Sequence, residues 1–523
     1  MKLAPILCCC LAAARASSEQ PLSDAVARAS SEQPLSDAAA RASSEQPLSF
    51  IRASNVVGDK NFYDEHGRVR IFHGANRVAK GFPWLFPDQL DNDGEATLME
   101  ELGFNVLRLG WMWTGYNGGG PGQFNETYGD ALGRIVSRLA ARGVHVLLDM
   151  HEDVLSSDFC LYDGAPQWVV NKSVPRHAFP WPQNGSAPGD PRGCHSRGWE
   201  ANMLTEAAGQ AYQDIYDNYA GMLDDLAAFW AKSAARWRDE PAVIGYEVMN
   251  EPFAGDVFKD PLLFLPGVAG RKNLARMHDA VAAAIRQHDD RHMIFYEPVT
   301  WGMVLDGKAT GSGYDHVPGG PAFANRSAMS YHYYCSTFDP GWQDHPLMRR
   351  AICDATVGPL VFKAVGEDLD KVGGAQMMTE GMACPTGNLS QAAECVAVMA
   401  DLDQRMFSWT DYGDSQGQTW EPTEVQKTVW ARTYARAVAG TPLNMTFDFE
   451  TKDFETCFTI DASINAPTEI FASVKYAYNG PGGFAVATSD NLAASSSGNI
   501  VTVVPAPGAD AGGEVGCVRI TKA

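Results

Sequence analysis

The stretch "VIGYEVMNEP", residues 243–252, ends by setting Asn250 beside Glu251, and "QMMTEG", residues 376–381, carries Glu380 near the end of a second apolar run. Two carboxylates at the ends of strand-like segments fit acid–base and nucleophilic work at the anomeric carbon of a sugar. One must stay protonated to donate to the departing oxygen, while the other stays ionised to attack or stabilise the cationic carbon. A neutral amide beside the acid can hold the sugar's 2-hydroxyl through a contact that strengthens in the transition state. Other run ends deposit Arg108, His151 with Asp153, His332 with Tyr334, and Trp409. Each alone has a structural reading, as a solvated rim group or a core residue. Their recurrence at one run end after another is what favours a site.

Residues so placed need parallel strands that all finish on one face. Apolar runs at "VRIFHGAN", "FNVLRLG", "VHVLLDMH", "VIGYEVMN", "HMIFYEP", "AMSYHYY", "QMMTEG" and "RMFSWTD" alternate with helical patterns such as "GDALGRIVSRLAARG" and "NLARMHDAVAAAIRQH". The alternation implies an α/β fold, a (β/α)8 TIM barrel over residues 55–438, with its chemistry at the C-terminal rim of the strands. A doubly wound sheet is the alternative, but no glycine-rich phosphate loop follows the first strand. From residue 439 to 523 the alternation stops. Segments such as "TEIFASVKYAY" and "NIVTVV", separated by Gly, Pro and Asn turns, imply a C-terminal antiparallel β-sandwich.

Composition narrows the partners. The chain has 523 residues, 45% hydrophobic, and a formal net charge of −22. That charge argues against a nucleic-acid partner and against tight adhesion to an anionic membrane surface. Residues 1–16 read as a signal peptide, with Lys2 before a short apolar stretch and Ala14-Arg15-Ala16 at the cleavage site. Residues 15–49 repeat a thirteen-residue unit, "RASSEQPLSDAVA", too polar to bury a core, and residues 17–54 read as a linker. A secreted or secretory-lumen location, extracellular or lysosome- or vacuole-like, follows, and sequons at Asn125, Asn171, Asn184, Asn325, Asn388 and Asn444 agree with it.

Of 11 cysteines, Cys8, Cys9 and Cys10 fall in the leader and eight remain. An even number suggests disulfides but leaves their connectivity open. Proximity favours Cys160 with Cys194, Cys335 with Cys353, Cys384 with Cys395, and Cys457 with Cys517. None has the spacing of a zinc site, and neither metal nor cofactor is expected.

The motifs together resemble glycoside hydrolase family 5, most closely its endoglycoceramidase branch, over about residues 56–520. "NEP" matches the acid/base motif, "MTEG" the nucleophile strand and "YHYY" the His-x-Tyr segment; "HGANRVAKGFP", "LRLGWMW", "LDMHED" and "PTEIFASVKYAYNGPGGF" are more particular to the branch. The resemblance implies Glu251 as acid/base and Glu380 as nucleophile, with Arg108, His151, Asn250, His332, Tyr334 and Trp409 around the reacting sugar. It implies that Arg108 keeps the nucleophile ionised, Tyr334 hydrogen-bonds it, His332 joins the acid's network, and Lys80 and Asp153 contact glycan hydroxyls. The substrate expected is a glycolipid or glycan, cleaved between glycan and ceramide by a monomer in transient contact with a membrane surface. The same machinery directed at a β-glucan, a mannan or a steryl glucoside is the alternative, and a non-catalytic carbohydrate-binding barrel is disfavoured because both glutamates are present.

Three departures from the family's pattern bear on specificity. Glu152 stands where glutamine is usual, adding an expected charge near the sugar. Gly381 replaces a common Phe, which implies a more open cleft wall, and "TGYNGGGPGQFNETY" replaces a Glu-Pro step. The long stretch at 155–205 offers Trp168, Phe179 and Trp181 as one apolar wall, with Phe258, Leu262, Leu263, Phe264 and Leu265 as the opposite one. A decorated surface loop is the plainer reading of that stretch.

Overall fold

The computed structural model describes residues 48–81, 88–160, 163–183, 193–194, 199–299, 304–305, 308–309, 311–334, 353–382, 384, 392–413, 421–508 and 512–523. The expected leader and most of the repeat lie outside these residues.

Eight parallel strands close a barrel: β1 (His73–Arg77), β2 (Val106–Gly110), β3 (His145–Asp149), β4 (Val243–Glu247), β5 (Met293–Tyr296), β6 (Ser327–Tyr333), β7 (Ala375–Gly381) and β8 (Ser408–Asp411). The last strand closes on the first with Trp409 opposite His73. This is the (β/α)8 barrel implied by the alternation. Its strands read as apolar runs because helices cover the outer face while side chains fill the inner one. The helix Glu126–Ala140 shows the pattern, burying Leu132, Ile135, Val136 and Leu139 along one stripe while Asn125 caps its start by accepting from the Tyr128 N–H.

Inside the barrel the filling is layered. Phe72, Val106, Leu147, Ile244, Met293, Phe295 and Met377 form an apolar floor, plugged from below by Ile51, Ala53 and Phe62. Nearer the C-terminal strand ends the interior turns polar, with Asn76, Arg108, Asp149, Glu247 and His332 all buried. Burying polar groups without partners is costly, so most of these are paired. The rim is therefore a hydrogen-bonded network resting on a rigid apolar base.

The C-terminal part forms the expected antiparallel sandwich. One sheet has seven strands and includes Tyr434–Val438, Thr468–Phe471, Leu492–Ser497 and Ile500–Pro505, together with the N-terminal pieces Arg52–Ala53, Phe62–Tyr63 and Val69–Arg70. The other has four strands, Gly440–Phe447, Phe454–Ile460, Phe484–Thr488 and Val515–Lys522. Phe454, Phe458, Ile470, Val501, Val518 and Ile520 pack between them. The sandwich seats firmly on the barrel: the Tyr434 hydroxyl donates to the Gly103 carbonyl at 2.7 Å. At Gly103 (φ +80°) an added Cβ would stand 2.4 Å from the Phe471 ring, so only glycine permits both the helix end and this contact.

The pairs Cys160–Cys194, Cys384–Cys395 and Cys457–Cys517 are disulfide-bonded, as proximity favoured. The fourth expected pair includes Cys335, which lies outside the described residues.

Candidate active site

Arg108, at the third position of β2, points into the barrel and is wholly buried. Its Nη1 donates to Glu380 Oε2 at 3.0 Å and to Asn76 Oδ1 at 3.0 Å, and its Nη2 donates to Asn250 Oδ1 at 2.6 Å. Nε meets Glu247 Oε2 at 2.5 Å, and Nη2 pairs with Asp149 Oδ1 at 3.1 Å. Burial alone would lower the guanidinium pKa, but Asp149, Glu247 and Glu380 together hold it well above its ordinary value. Arg108 is thus a fixed positive charge beneath the rim. It ties the segments carrying Glu380 and Asn250 to the barrel interior.

Glu380 sits in β7 and receives a second hydrogen bond from the Tyr334 hydroxyl on Oε1 at 2.7 Å. Burial pushes its carboxyl above the ordinary value; Glu251 adds to that push, while His332, Arg108 and the Tyr334 hydroxyl oppose it. Glu251 lies four residues beyond the end of β4, where its backbone takes φ +38°, an unusual conformation for a residue with a Cβ. Its Oε1 is 2.8 Å from His332 Nδ1, and its backbone N–H donates to Glu297 Oε2 at 2.8 Å. One carboxylate oxygen of Glu251 and one of Glu380 lie within 4.8 Å of each other and of a His332 ring nitrogen. An oxygen-to-oxygen approach this close suits a nucleophilic pair, whose carboxyl groups stand about 5 to 5.5 Å apart.

Beside this pair lies a second polar group. Lys80 Nζ meets Asp153 Oδ2 at 2.5 Å and stands 5.5 Å from the centre of the Tyr412 ring. Burial opposes the lysine's charge, but Asp153 and then Tyr412 hold its pKa well above the ordinary value. His151 Nδ1 is 2.7 Å from Asp149 Oδ2, and its ring lies parallel to that of Tyr412 at 6.1 Å. Burial, then the charge of Lys80, holds the His151 pKa well below its ordinary value, so the ring is neutral. Its Nε2 is buried without a hydrogen-bonding partner among the described residues, 3.8 Å from Asp153 Oδ1.

Nine of the ten residues singled out in the sequence therefore converge: Lys80, Arg108, His151, Asp153, Asn250, Glu251, His332, Tyr334 and Glu380. Trp409 does not. It pairs in register with His73, an odd number of residues from inward-pointing Asn76, so its side chain leaves the barrel on the opposite side. There it is fully buried, stacked on His73 at 4.5 Å and edge-on to Phe104. The aromatic at the cleft is Tyr412, three residues further on, and strand parity alone distinguishes the two.

Two of the departures also read differently in the structure. Glu152 brings no charge to the sugar side: its carboxyl is buried and accepts from the Tyr212 hydroxyl and the Leu155 N–H, each at 2.6 Å. Burial pushes its pKa well above the ordinary value. Its contribution to the site is its backbone carbonyl, which accepts from Asn250 Nδ2 at 2.7 Å. A Cβ at Gly381 would meet the Tyr333 carbonyl at 2.4 Å, so this glycine serves strand packing and opens no cleft wall. In the inserted stretch, Trp168 and Phe179 pack onto the barrel core, Trp168 donating to the Asn117 carbonyl at 2.9 Å. Only Trp181 of the three is exposed, with its ring 5.5 Å from Phe258. On the facing loop Leu263 is buried, whereas Leu262, Phe264 and Leu265 are exposed.

Asn76, Asp149, Glu247 and Glu297 complete the network and were not singled out from the sequence. Asp149, Glu247 and Glu297 occur inside runs that read as strand, so a carboxyl at an inward position beside Arg108 was the available signal.

A closed parallel barrel whose fourth and seventh strands bring two carboxylates this close, over one buried arginine, has the architecture of a retaining glycoside hydrolase. Residues 72–416 match the family described as cellulase, glycosyl hydrolase family 5, and residues 432–520 match the glycoside hydrolase family 5 C-terminal domain. The chain belongs to glycoside hydrolase family 5. An endoglycoceramidase of Cyanea nozakii is 35% identical over 78% of this chain and 81% of its own length. One of Hydra vulgaris is 34% identical over 83% of each. The fold is that of endo-glycoceramidase II from Rhodococcus sp., with a TM-score of 0.69 at 21% identity, covering 88% of this chain and 99% of that one.

Proposed function

We propose that this chain hydrolyses the β-glycosidic bond between glycan and ceramide in glycosphingolipids, with retention of configuration, releasing the intact sugar and the intact ceramide. The observation that carries the ceramide reading is the similarity, over 83% of both chains, to a relative named as an endoglycoceramidase. A match to an ergosteryl-beta-glucosidase of Saccharomyces cerevisiae spans only 40% of this chain, which ranks the steryl glucoside reading lower.

In this reading Glu380 attacks the anomeric carbon while Glu251 gives its proton to the departing ceramide oxygen. The glycosyl–Glu380 ester forms as the glycosidic C–O bond breaks. Glu251, now ionised, takes a proton from water, whose oxygen displaces Glu380 from the opposite face and restores the original configuration. Arg108 and the Tyr334 hydroxyl stabilise the Glu380 carboxylate before attack and after its release. Asn250, held by Arg108 and by the Glu152 carbonyl, faces the 2-hydroxyl, while Lys80, Asp153 and His151 serve the glycan. The expected leader, together with the disulfides, supports passage through the secretory route.

The test is product analysis with purified protein. Fluorescent-acyl glucosylceramide and lactosylceramide are incubated beside cello-oligosaccharides and a steryl glucoside, and labelled ceramide is followed. Ceramide release is the expected result; rapid cleavage of the oligosaccharides alone would leave a general β-glycosidase.

A further inference from the structure

Glu297 follows β5 directly and is almost wholly buried. Its backbone carbonyl accepts from the Tyr314 hydroxyl at 2.8 Å, which fixes the residue from behind. Its carboxyl faces Glu251 twice. Oε2 accepts the Glu251 backbone N–H at 2.8 Å, and Oε1 lies 3.5 Å from His332 Nδ1, the nitrogen that is 2.8 Å from Glu251 Oε1.

These contacts bear on the placement an acid/base needs. Glu251 holds a left-handed backbone, φ +38°, that a residue with a Cβ adopts only when its surroundings impose it. The hydrogen bond from its N–H to Glu297 is one such constraint, acting at the distorted residue itself.

We propose that Glu297 is a positioning residue for the acid/base: it fixes the backbone from which Glu251 reaches the leaving group. The inference rests on Glu251 being the acid/base.

The test uses the full chain with two conservative variants and a pair of substrates that differ only in their need for acid. Glu297→Gln keeps an acceptor oxygen at the same reach, whereas Glu297→Asp keeps the carboxyl but withdraws it by one methylene. Values of kcat/KM are measured on 2,4-dinitrophenyl β-lactoside, whose leaving group departs without protonation, and on phenyl β-lactoside, whose leaving group needs it. Glu297→Asp is expected to lose about 100-fold on the phenyl substrate and less than about 5-fold on the dinitrophenyl one, the range general acid catalysis supplies. Glu297→Gln is expected to stay within about 5-fold of wild type on both, because the acceptor is restored. Equal losses on the two substrates in Glu297→Asp, or a Gln variant as impaired as the Asp variant, would overturn the proposal. A wild-type chain that hydrolyses neither substrate would overturn the glycosidase reading itself, and this inference with it.

Discussion

Arg108 holds Glu380 and Asn250 at once, donating from Nη1 to Glu380 Oε2 at 3.0 Å and from Nη2 to Asn250 Oδ1 at 2.6 Å. A planar guanidinium can span both while its Nε stays on Glu247; an ammonium cannot. Arg108→Lys should therefore break the link between the two strand ends and leave buried carboxylates under-compensated. The expected outcome is a fall in kcat of about 1,000-fold, the scale set by lost electrostatic preorganisation. Loss of about 3 to 5 kcal/mol in denaturant unfolding should accompany it, as when one partner of a buried ion pair is removed. A variant with near-normal kcat would show that the arginine is structural only.

The two carboxylates can be told apart by chemical rescue. Glu251→Ala should keep activity toward substrates with good leaving groups and, with azide, give the β-glycosyl azide, because the Glu380 ester still forms and azide displaces it. Glu380→Ala with azide should give the α-azide, since azide then takes the nucleophile's place on the substrate. Exchange of the two products would reverse the assignments.

The acid limb of the pH profile should report Glu380. It must be ionised to attack, and burial raises its pKa above the ordinary value, so activity should fall with decreasing pH sooner than for an ordinary glutamate near about 4.3. The Tyr334 hydroxyl opposes that rise by donating to Glu380 at 2.7 Å. Tyr334→Phe should move the acid limb of kcat/KM to higher pH and lower its plateau by about 10- to 100-fold. A lower plateau with an unmoved limb would assign the tyrosine to substrate contact and not to the nucleophile's ionisation.

What was legible in the sequence was periodicity and the ends of runs. Glu251, Glu380, Arg108 and His332 could be found because apolar strands break into polar residues only where the rim needs them. Parity within a short strand was harder. "SWTD" gives no alternation from which to tell that Trp409 faces outward and Tyr412 inward, because both sides of a barrel strand are buried. Carboxyls inside apolar runs were hidden for the same reason. Glu247 and Asp149 are visible as functional only once Arg108 is known to lie beside them. The meaning of Glu152 depended on Tyr212, about 60 residues away, whose hydroxyl accounts for the buried acid.

Glu152 offers a stability test with a definite sign. Its folded pKa is raised well above the ordinary value by burial, so the native state binds a proton that the unfolded chain releases as pH rises past about 4.3. Native stability is then eroded as pH increases, by up to about 1.4 kcal/mol per unit until the folded pKa is reached. Glu152→Gln removes this titration yet keeps an acceptor for Tyr212 and Leu155. The melting temperature of the variant should equal or trail that of wild type at pH 4.5 and exceed it increasingly toward pH 8, with kcat within about two-fold of wild type. A constant difference across that range would mean that Glu152 does not titrate as its burial dictates.

The exposed apolar rim gives the test most specific to a lipid substrate. On the loop after the acid/base, Leu263 is 2% exposed and packs in the barrel core, whereas Leu262 and Leu265 are 62% and 49% exposed. Changing Leu263 to Asp would bury a charge and unfold the loop, so its effect on activity would say nothing about lipid. Leu262→Asp with Leu265→Asp leaves the core intact, because neither side chain contributes to it. If ceramide carbon lies against this loop, each methylene buried is worth about 0.8 kcal/mol, and two leucines contacting several of them account for about a 10- to 100-fold change in affinity. The double variant should therefore raise KM or lower kcat/KM for lactosylceramide by about that factor, with hydrolysis of 2,4-dinitrophenyl β-lactoside unchanged. Equal loss on both substrates would make the loop structural. No loss on either would place the lipid against another surface, with Trp181, 42% exposed and with its ring 5.5 Å from that of Phe258, the next residue to replace.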